Sequence, residues 1–126
     1  VAGLTLDSGA LIAFERGDRS VVAILKEAQL RGVELTVPTV VVAEVWRGGP
    51  RSAQIARLLA ACRIEPLLDD LARVAGETVA TTKGADVIDA IVVASAGARG
   101  DAVLTSDRHD LERLQARFPA VRVVPI

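Results

Sequence analysis

Six acidic residues offer the chemistry in this sequence: Asp7, Glu44, Asp86, Asp89, Asp107 and Asp110. One histidine, His109, and one cysteine, Cys62, stand beside them. That leaves no imidazole cluster, no HExxH zinc helix, no thiolate cage and no internal disulfide. Carboxylate oxygens are hard donors that favour Mg²⁺ or Mn²⁺ over zinc. Acids that converge repel one another unless a cation neutralises them. The reaction such a cluster suits is phosphodiester hydrolysis, with metal ions activating water and stabilising the leaving oxygen.

Most of these acids also have a local structural role. Asp7 precedes a helix and fits an N-cap. Asp107 and Asp110 fit a capping pair ahead of Leu111 and Leu114. Asp86 and Asp89 open an apolar helix, where acids complement the helix dipole. Glu44 has no such role. It lies in Val40-Val-Val-Ala-Glu-Val-Trp46, a segment expected to be largely buried, where a lone carboxylate costs several kcal/mol unless compensated. Arg47, three residues on, is one compensating partner; a metal ion is the other.

The elements that must position these acids alternate. Short strands are expected at 3–6, 34–37, 64–67, 102–105 and 121–124, the first ending at Asp7, the second closed by Pro38 and the third bracketed by Pro66. Helices are expected at 8–14, around 21–28, and at 40–46, 53–61, 69–82, 86–98 and 107–117. This pattern predicts one α/β domain over residues 1–126, a three-layer α/β/α sandwich with a mainly parallel central sheet. In such sheets ligands bind beyond the carboxyl ends of the strands. Asp7 follows its strand directly and Asp107 follows the 102–105 strand after only Ser106, so both belong on that edge.

Composition narrows the classes further. The 126 residues are 51% hydrophobic, 25% charged and only 2% aromatic, with a net charge of −1 and a mean hydropathy of +0.38. A dense aliphatic core is affordable at this length. A stacking platform for single-stranded nucleic acid is not, because Phe14, Trp46 and Phe118 are the only rings. No apolar run approaches the ~18 residues of a membrane span, and Val1–Asp7 does not read as a signal peptide. A cytoplasmic protein is expected, its start at Val1 pointing to trimming or an alternative start. Charge is uneven along the chain. The stretch from Arg47 to Arg63 holds Arg47, Arg51, Arg57 and Arg63 and no acid. This stretch reads as an ordinary solvated helix face, or Arg47, Arg51 and Arg57 are candidate contacts for phosphate groups.

Four segments carry a family resemblance: Leu6-Asp-Ser-Gly-Ala-Leu-Ile-Ala13, Val37-Pro-Thr-Val-Val-Val-Ala-Glu-Val45, Asp89-Ala-Ile-Val-Val-Ala-Ser-Ala96 and Leu104-Thr-Ser-Asp107. In that order they resemble the motif blocks of PIN domains. Their spacing and the length of the chain look like the VapC toxins of bacterial VapBC toxin–antitoxin pairs. Each block alone is weak; all four in order cover essentially the whole chain.

The resemblance implies a Mg²⁺-dependent endoribonuclease, with Mn²⁺ able to substitute, that cuts structured RNA such as tRNA or rRNA. It makes Asp7, Glu44, Asp89 and Asp107 the quartet that holds metal and activates water. Ser8, Thr105 and Ser106 match the hydroxyl-bearing positions beside the first and last acids, and Asp86 and Asp110 are extra acids around the quartet. Gly9 stands where a second hydroxyl is often seen, and Val92-Val93 where Ile-Ala is usual. The resemblance also implies a homodimer and a VapB-type antitoxin that silences the enzyme and itself binds operator DNA. Leu11, Ile12, Ile24, Trp46, Ile55 and Leu58 are candidates for hydrophobic contacts with such partners, or for the core.

Other acid-rich α/β classes fit less well. A receiver domain needs a lysine after a late strand, and the only lysines are Lys26 and Lys83. A haloacid-type phosphatase needs a second Asp at position 9, which is glycine. No Walker loop is present. A PIN-like interaction module without catalysis is the remaining alternative, and it would fail to bind Mn²⁺.

Overall fold

A computed structural model describes residues 2–126; Val1, the expected trimmed or alternative start, lies outside them. Five short strands pair into one all-parallel sheet. They are β1 (Leu4–Leu6), β2 (Leu35–Pro38), β3 (Arg63–Glu65), β4 (Ala102–Thr105) and β5 (Val123–Pro125), in the order β3-β2-β1-β4-β5. The register sets Leu4 beside Leu35 and Leu6 beside Leu104. Every residue of β1, β2 and β4 is buried, as expected for strands covered on both faces.

The helices are α1 (Ser8–Glu15), α2 (Arg19–Leu30), α3 (Thr39–Val45), α4 (Ala53–Ala60), α5 (Asp69–Thr81), α6 (Val87–Arg99) and α7 (Arg108–Leu114), with a 3-10 turn at Gly49–Ser52. They flank the sheet in an α/β/α arrangement. Val92, Val93 and Ala96 of α6 join Leu6, Val37 and Leu104 of the sheet in the main core. Ala75 of α5 covers Ala90 and Ile91 on another face of α6. Helix α6 stops at Gly100, whose φ of +75° forms the left-handed cap that lets the Asp101 N–H return to the Ala96 carbonyl at 2.9 Å.

At the start of β4, a charged network is buried with its partners supplied. Asp101 accepts from the Thr5 hydroxyl at 2.9 Å and from Arg99 Nε at 3.0 Å. Arg99 also donates to Ser95 Oγ at 2.8 Å and to Thr5 Oγ1 at 2.7 Å. Gly3 has to be small here, because a Cβ would come within 2.5 Å of Asp101 Oδ1.

The alternation of elements matches the expectation, while several ends move. Strand β3 begins at Arg63 and stops at Glu65, since its pairing with β2 ends opposite Pro38. Helix α7 ends at Leu114. The chain then turns and is tied by Gln115 Nε2 donating to the Val121 carbonyl at 2.6 Å. One expectation about burial is corrected. Glu44 is exposed, because the short helix α3 buries Val41 and Val45, four apart, with Val40 and Val42 half-buried beside them, and leaves Glu44 to solvent. Arg47 makes no ion pair with it among the described residues. Leu11, Ile55 and Leu58 are core, Ile12 and Ile24 are half-buried, and Trp46 is 43% exposed. Among the described residues no helix is long and apolar enough to cross a membrane.

Candidate functional site

The carboxyl edge of the sheet gathers acids from separate elements. Asp7 ends β1 and is the N-cap of α1. Its Oδ1 accepts from the Ala10 N–H at 2.8 Å. Its Oδ2 accepts from the hydroxyl of Thr105, the last residue of β4. Thr105 Oγ1 in turn accepts from the Asp107 N–H at 2.8 Å. Asp86 caps α6 by accepting the Asp89 N–H at 3.2 Å, which leaves the Asp89 carboxylate one turn into the helix. The capping role expected of Asp7 is thus real, Asp86 caps α6 where only a dipole contribution was expected, and Asp107 stands at the N-cap of α7 without a side-chain cap hydrogen bond; Asp7 still has oxygen lone pairs to spare.

One carboxylate oxygen from each of Asp89, Asp107 and Asp110 lies within 4.8 Å of the other two. Asp110 therefore stands in the cluster itself rather than at its margin, although it also approaches Arg113 at 3.6 Å on the exposed side. Glu44 reaches the edge from α3 and adds to the negative field at Asp7. Ser8 is half-buried in the first turn of α1, and Ser106 is exposed above Gly9. A Cβ at position 9 would overlap Ser106 Oγ, at 1.8 Å, which accounts for glycine there.

The electrostatics are those of a site lacking a positive charge. Burial raises the Asp7 carboxyl above its usual range against the Thr105 and Ala10 hydrogen bonds, and the Asp107 and Glu44 charges push the same way as burial. Asp89 is pushed up to about 7, first by burial and then by Asp86, Asp107, Asp7 and Asp110. Asp107 is raised by desolvation and by Asp110. Among the described residues no lysine or arginine pairs with Asp7, Glu44, Asp89 or Asp107.

The donor set fits a hard divalent cation. Ligand oxygens on opposite sides of a Mg²⁺ ion sit roughly 4.2 Å apart, since each bond is about 2.1 Å. Three ligands cannot all lie opposite one another, so the Asp89, Asp107 and Asp110 oxygens, within 4.8 Å of each other, would draw in toward the roughly 3 Å between neighbouring ligands, leaving coordination positions for water. Of the four acids expected to hold metal, Asp7 and Glu44 lie outside this 4.8 Å group, and Asp7 acts on Asp89 through its charge.

The three candidate arginines separate. Arg47 and Arg51 line a cleft of about 460 Å³ together with Glu44 and with Arg16, at the end of α1. Arg57 lines a different cleft, beside Lys26 and Gln29 of α2. Arg16 was not legible from the sequence, because it lies outside the acid-free stretch and joins the others only in the fold.

A family model for the PIN domain matches residues 4–117. Comparison with curated protein sequences finds no significant match. Solved structures with the same fold include VapBC2 from Rickettsia felis bound to a promoter DNA fragment, at a TM-score of 0.78 and 12% identity over 98% of each chain. DNA-bound VapBC from Salmonella typhimurium aligns with a TM-score of 0.74 and 15% identity, covering 99% of this chain and 98% of that one. A toxin–antitoxin complex from Klebsiella pneumoniae aligns with a TM-score of 0.71 and 21% identity, covering 97% and 96%.

Proposed function

This chain belongs to the PIN domain family, and from that premise we propose that it is the toxin nuclease of a toxin–antitoxin pair, a Mg²⁺-dependent endoribonuclease acting on tRNA or rRNA. The observation that carries the reading is the meeting of Asp89, Asp107 and Asp110 oxygens beside a buried Asp7, with no lysine or arginine paired to Asp7, Asp89 or Asp107 among the described residues. A divalent ion bound there would supply water activation and charge stabilisation at the leaving oxygen of a phosphodiester.

The chain's own residues prepare that chemistry. Asp89 and Asp107 hold the ion, and Asp110 contributes from the first turn of α7. Thr105 fixes the Asp7 carboxylate through one hydrogen bond and the Asp107 backbone through another, so the two acids keep a constant spacing. Glu44, exposed and unpaired, is free to orient an incoming water. Near neutral pH, Asp89 holds a proton for part of the time and releases it when a cation binds.

The similar structures of toxin–antitoxin complexes, two of them bound to DNA, support an antitoxin as partner; in this reading it is of VapB type, and DNA is reached through it. A homodimer in the cytoplasm completes the proposal. Half-buried Ile12 and Ile24 and exposed Trp46 remain available to partners. The first test is Mn²⁺ binding, followed by the loss of the free-ion electron paramagnetic resonance signal. The wild-type chain should bind Mn²⁺ and Asp89→Asn should bind it far more weakly. A folded wild-type chain that leaves the signal unchanged would favour the non-catalytic module.

A further inference from the structure

We propose that Arg16, Arg47 and Arg51 form a phosphate-binding track that leads an RNA strand to the acidic site, and that Arg57 is not part of it. The inference rests on the nuclease reading above and adds the residues that position its substrate.

Three observations carry it. First, Arg16 from the end of α1 and Arg47 and Arg51 from the loop after α3 line one cleft, and Glu44 lines it too. The track therefore opens onto the acidic edge. Second, none of the three guanidinium groups forms an ion pair with an acid among the described residues, although Glu15 lines the same cleft. Guanidinium groups without a carboxylate partner are suited to bidentate capture of phosphate oxygens. Third, the loop that presents Arg47 and Arg51 is fixed. The buried Ser52 hydroxyl accepts from the Arg47 N–H at 2.9 Å and from the Gly48 N–H at 3.0 Å, and Arg47 Nη1 donates to the Trp46 carbonyl at 2.8 Å.

Arg16 also lines the neighbouring cleft, which runs past Gly9 and Ser106 on the other side of α1. Ile12 is common to both clefts. Arg16 stands where the two clefts meet, and Glu44 in one and Ser106 in the other are the lining residues that link them to the acidic edge. Arg57 faces Lys26 on a separate surface.

The test uses the Asp89→Asn chain, so that binding is read without hydrolysis. The probe is a fluorescently labelled single-stranded RNA of mixed sequence, titrated over a range of KCl concentrations. Each of Arg16→Ala, Arg47→Ala and Arg51→Ala should weaken binding by roughly fivefold and reduce the slope of log K against log[salt] by about 0.7, the loss of one phosphate contact on a single strand. Arg16→Lys should restore most of the slope, since the charge returns without the fork. Arg57→Ala should leave the slope unchanged. The sole tryptophan, exposed next to Arg47, gives an independent fluorescence signal. Unchanged slopes in all three alanine variants would overturn the track and assign the arginines to another acidic partner, such as a protein segment. An equal loss on Arg57→Ala would overturn it too, because the charge would then act diffusely. Cutting of the probe by the Asp89→Asn chain would contradict the nuclease site and leave the slopes to judge the track separately.

Discussion

The Thr105 hydroxyl donates to Asp7 Oδ2 while accepting the backbone N–H of Asp107, so one side chain at the end of β4 sets two acids of the site. Thr105→Val keeps the shape and removes both bonds. The Asp7 carboxyl, already raised by burial, would lose the hydrogen bond that opposes the rise. Divalent-ion affinity and RNA cleavage should each fall by about 10- to 100-fold, the cost of losing a group that orients a metal-holding acid. Thr105→Ser should retain most of both. Mn²⁺ titration of the three proteins checks this.

Stability of the metal-free chain should fall as pH rises. Asp89 titrates near 7 in the folded chain and near the usual 3.8 when unfolded, so the folded form binds more protons between those values. Asp7 and Asp107 shift in the same direction. Thermal melts in EDTA should therefore show a lower Tm at pH 8 than at pH 5.5, and Mg²⁺ should raise Tm more at pH 8. A metal-free Tm that climbs with pH would contradict the arrangement of these acids.

Asp89→Asn removes a partly buried charge that its neighbours oppose. In EDTA at pH 8 the variant should be more stable than the wild type. The gain should be about 1–2 kcal/mol, since partial exposure screens the repulsion. Cleavage should fall by about 10²-fold or more, given the several kcal/mol that metal coordination contributes to such reactions. Urea unfolding set against RNA cleavage checks both halves, and a variant that loses stability along with activity would point to a structural role for Asp89.

At the opposite end of the sheet the account predicts stability without catalysis. Arg99→Ala leaves Asp101 buried without its main cation, at 6% side-chain exposure. The loss should be about 3 kcal/mol of unfolding free energy. Adding Asp101→Ala should recover part of it, because the stranded charge is then gone. Cleavage per folded molecule should not change in either protein. Chemical denaturation and a cleavage assay on the same samples check this.

The order of strands and helices was legible because β1, β2 and β4 are short stretches of aliphatic residues and threonine that alternate with helical segments. Positions of single side chains were less so. The segment Val40–Trp46 reads as uniformly apolar, and only its folding as a single short helix turns Glu44 outward while Val41 and Val45 face in. The acids of the edge were visible as residues after strands. The closeness of Asp110 to Asp89 and Asp107 was not, since it depends on how α7 packs against α6. Arg16 could not be grouped with Arg47 and Arg51 from spacing, because α1 meets α3 only in the tertiary structure.

The most direct measurement is cleavage of total cellular RNA by the purified, antitoxin-free chain, with the cut ends mapped by sequencing. It is run with Mg²⁺, with EDTA, and beside Asp7→Asn and Asp89→Asn proteins purified in the same way. The account predicts discrete cuts that disappear with EDTA and in both variants. Cuts that persist in both variants, or no cuts from a folded chain that binds metal, would contradict the nuclease assigned to this acidic edge.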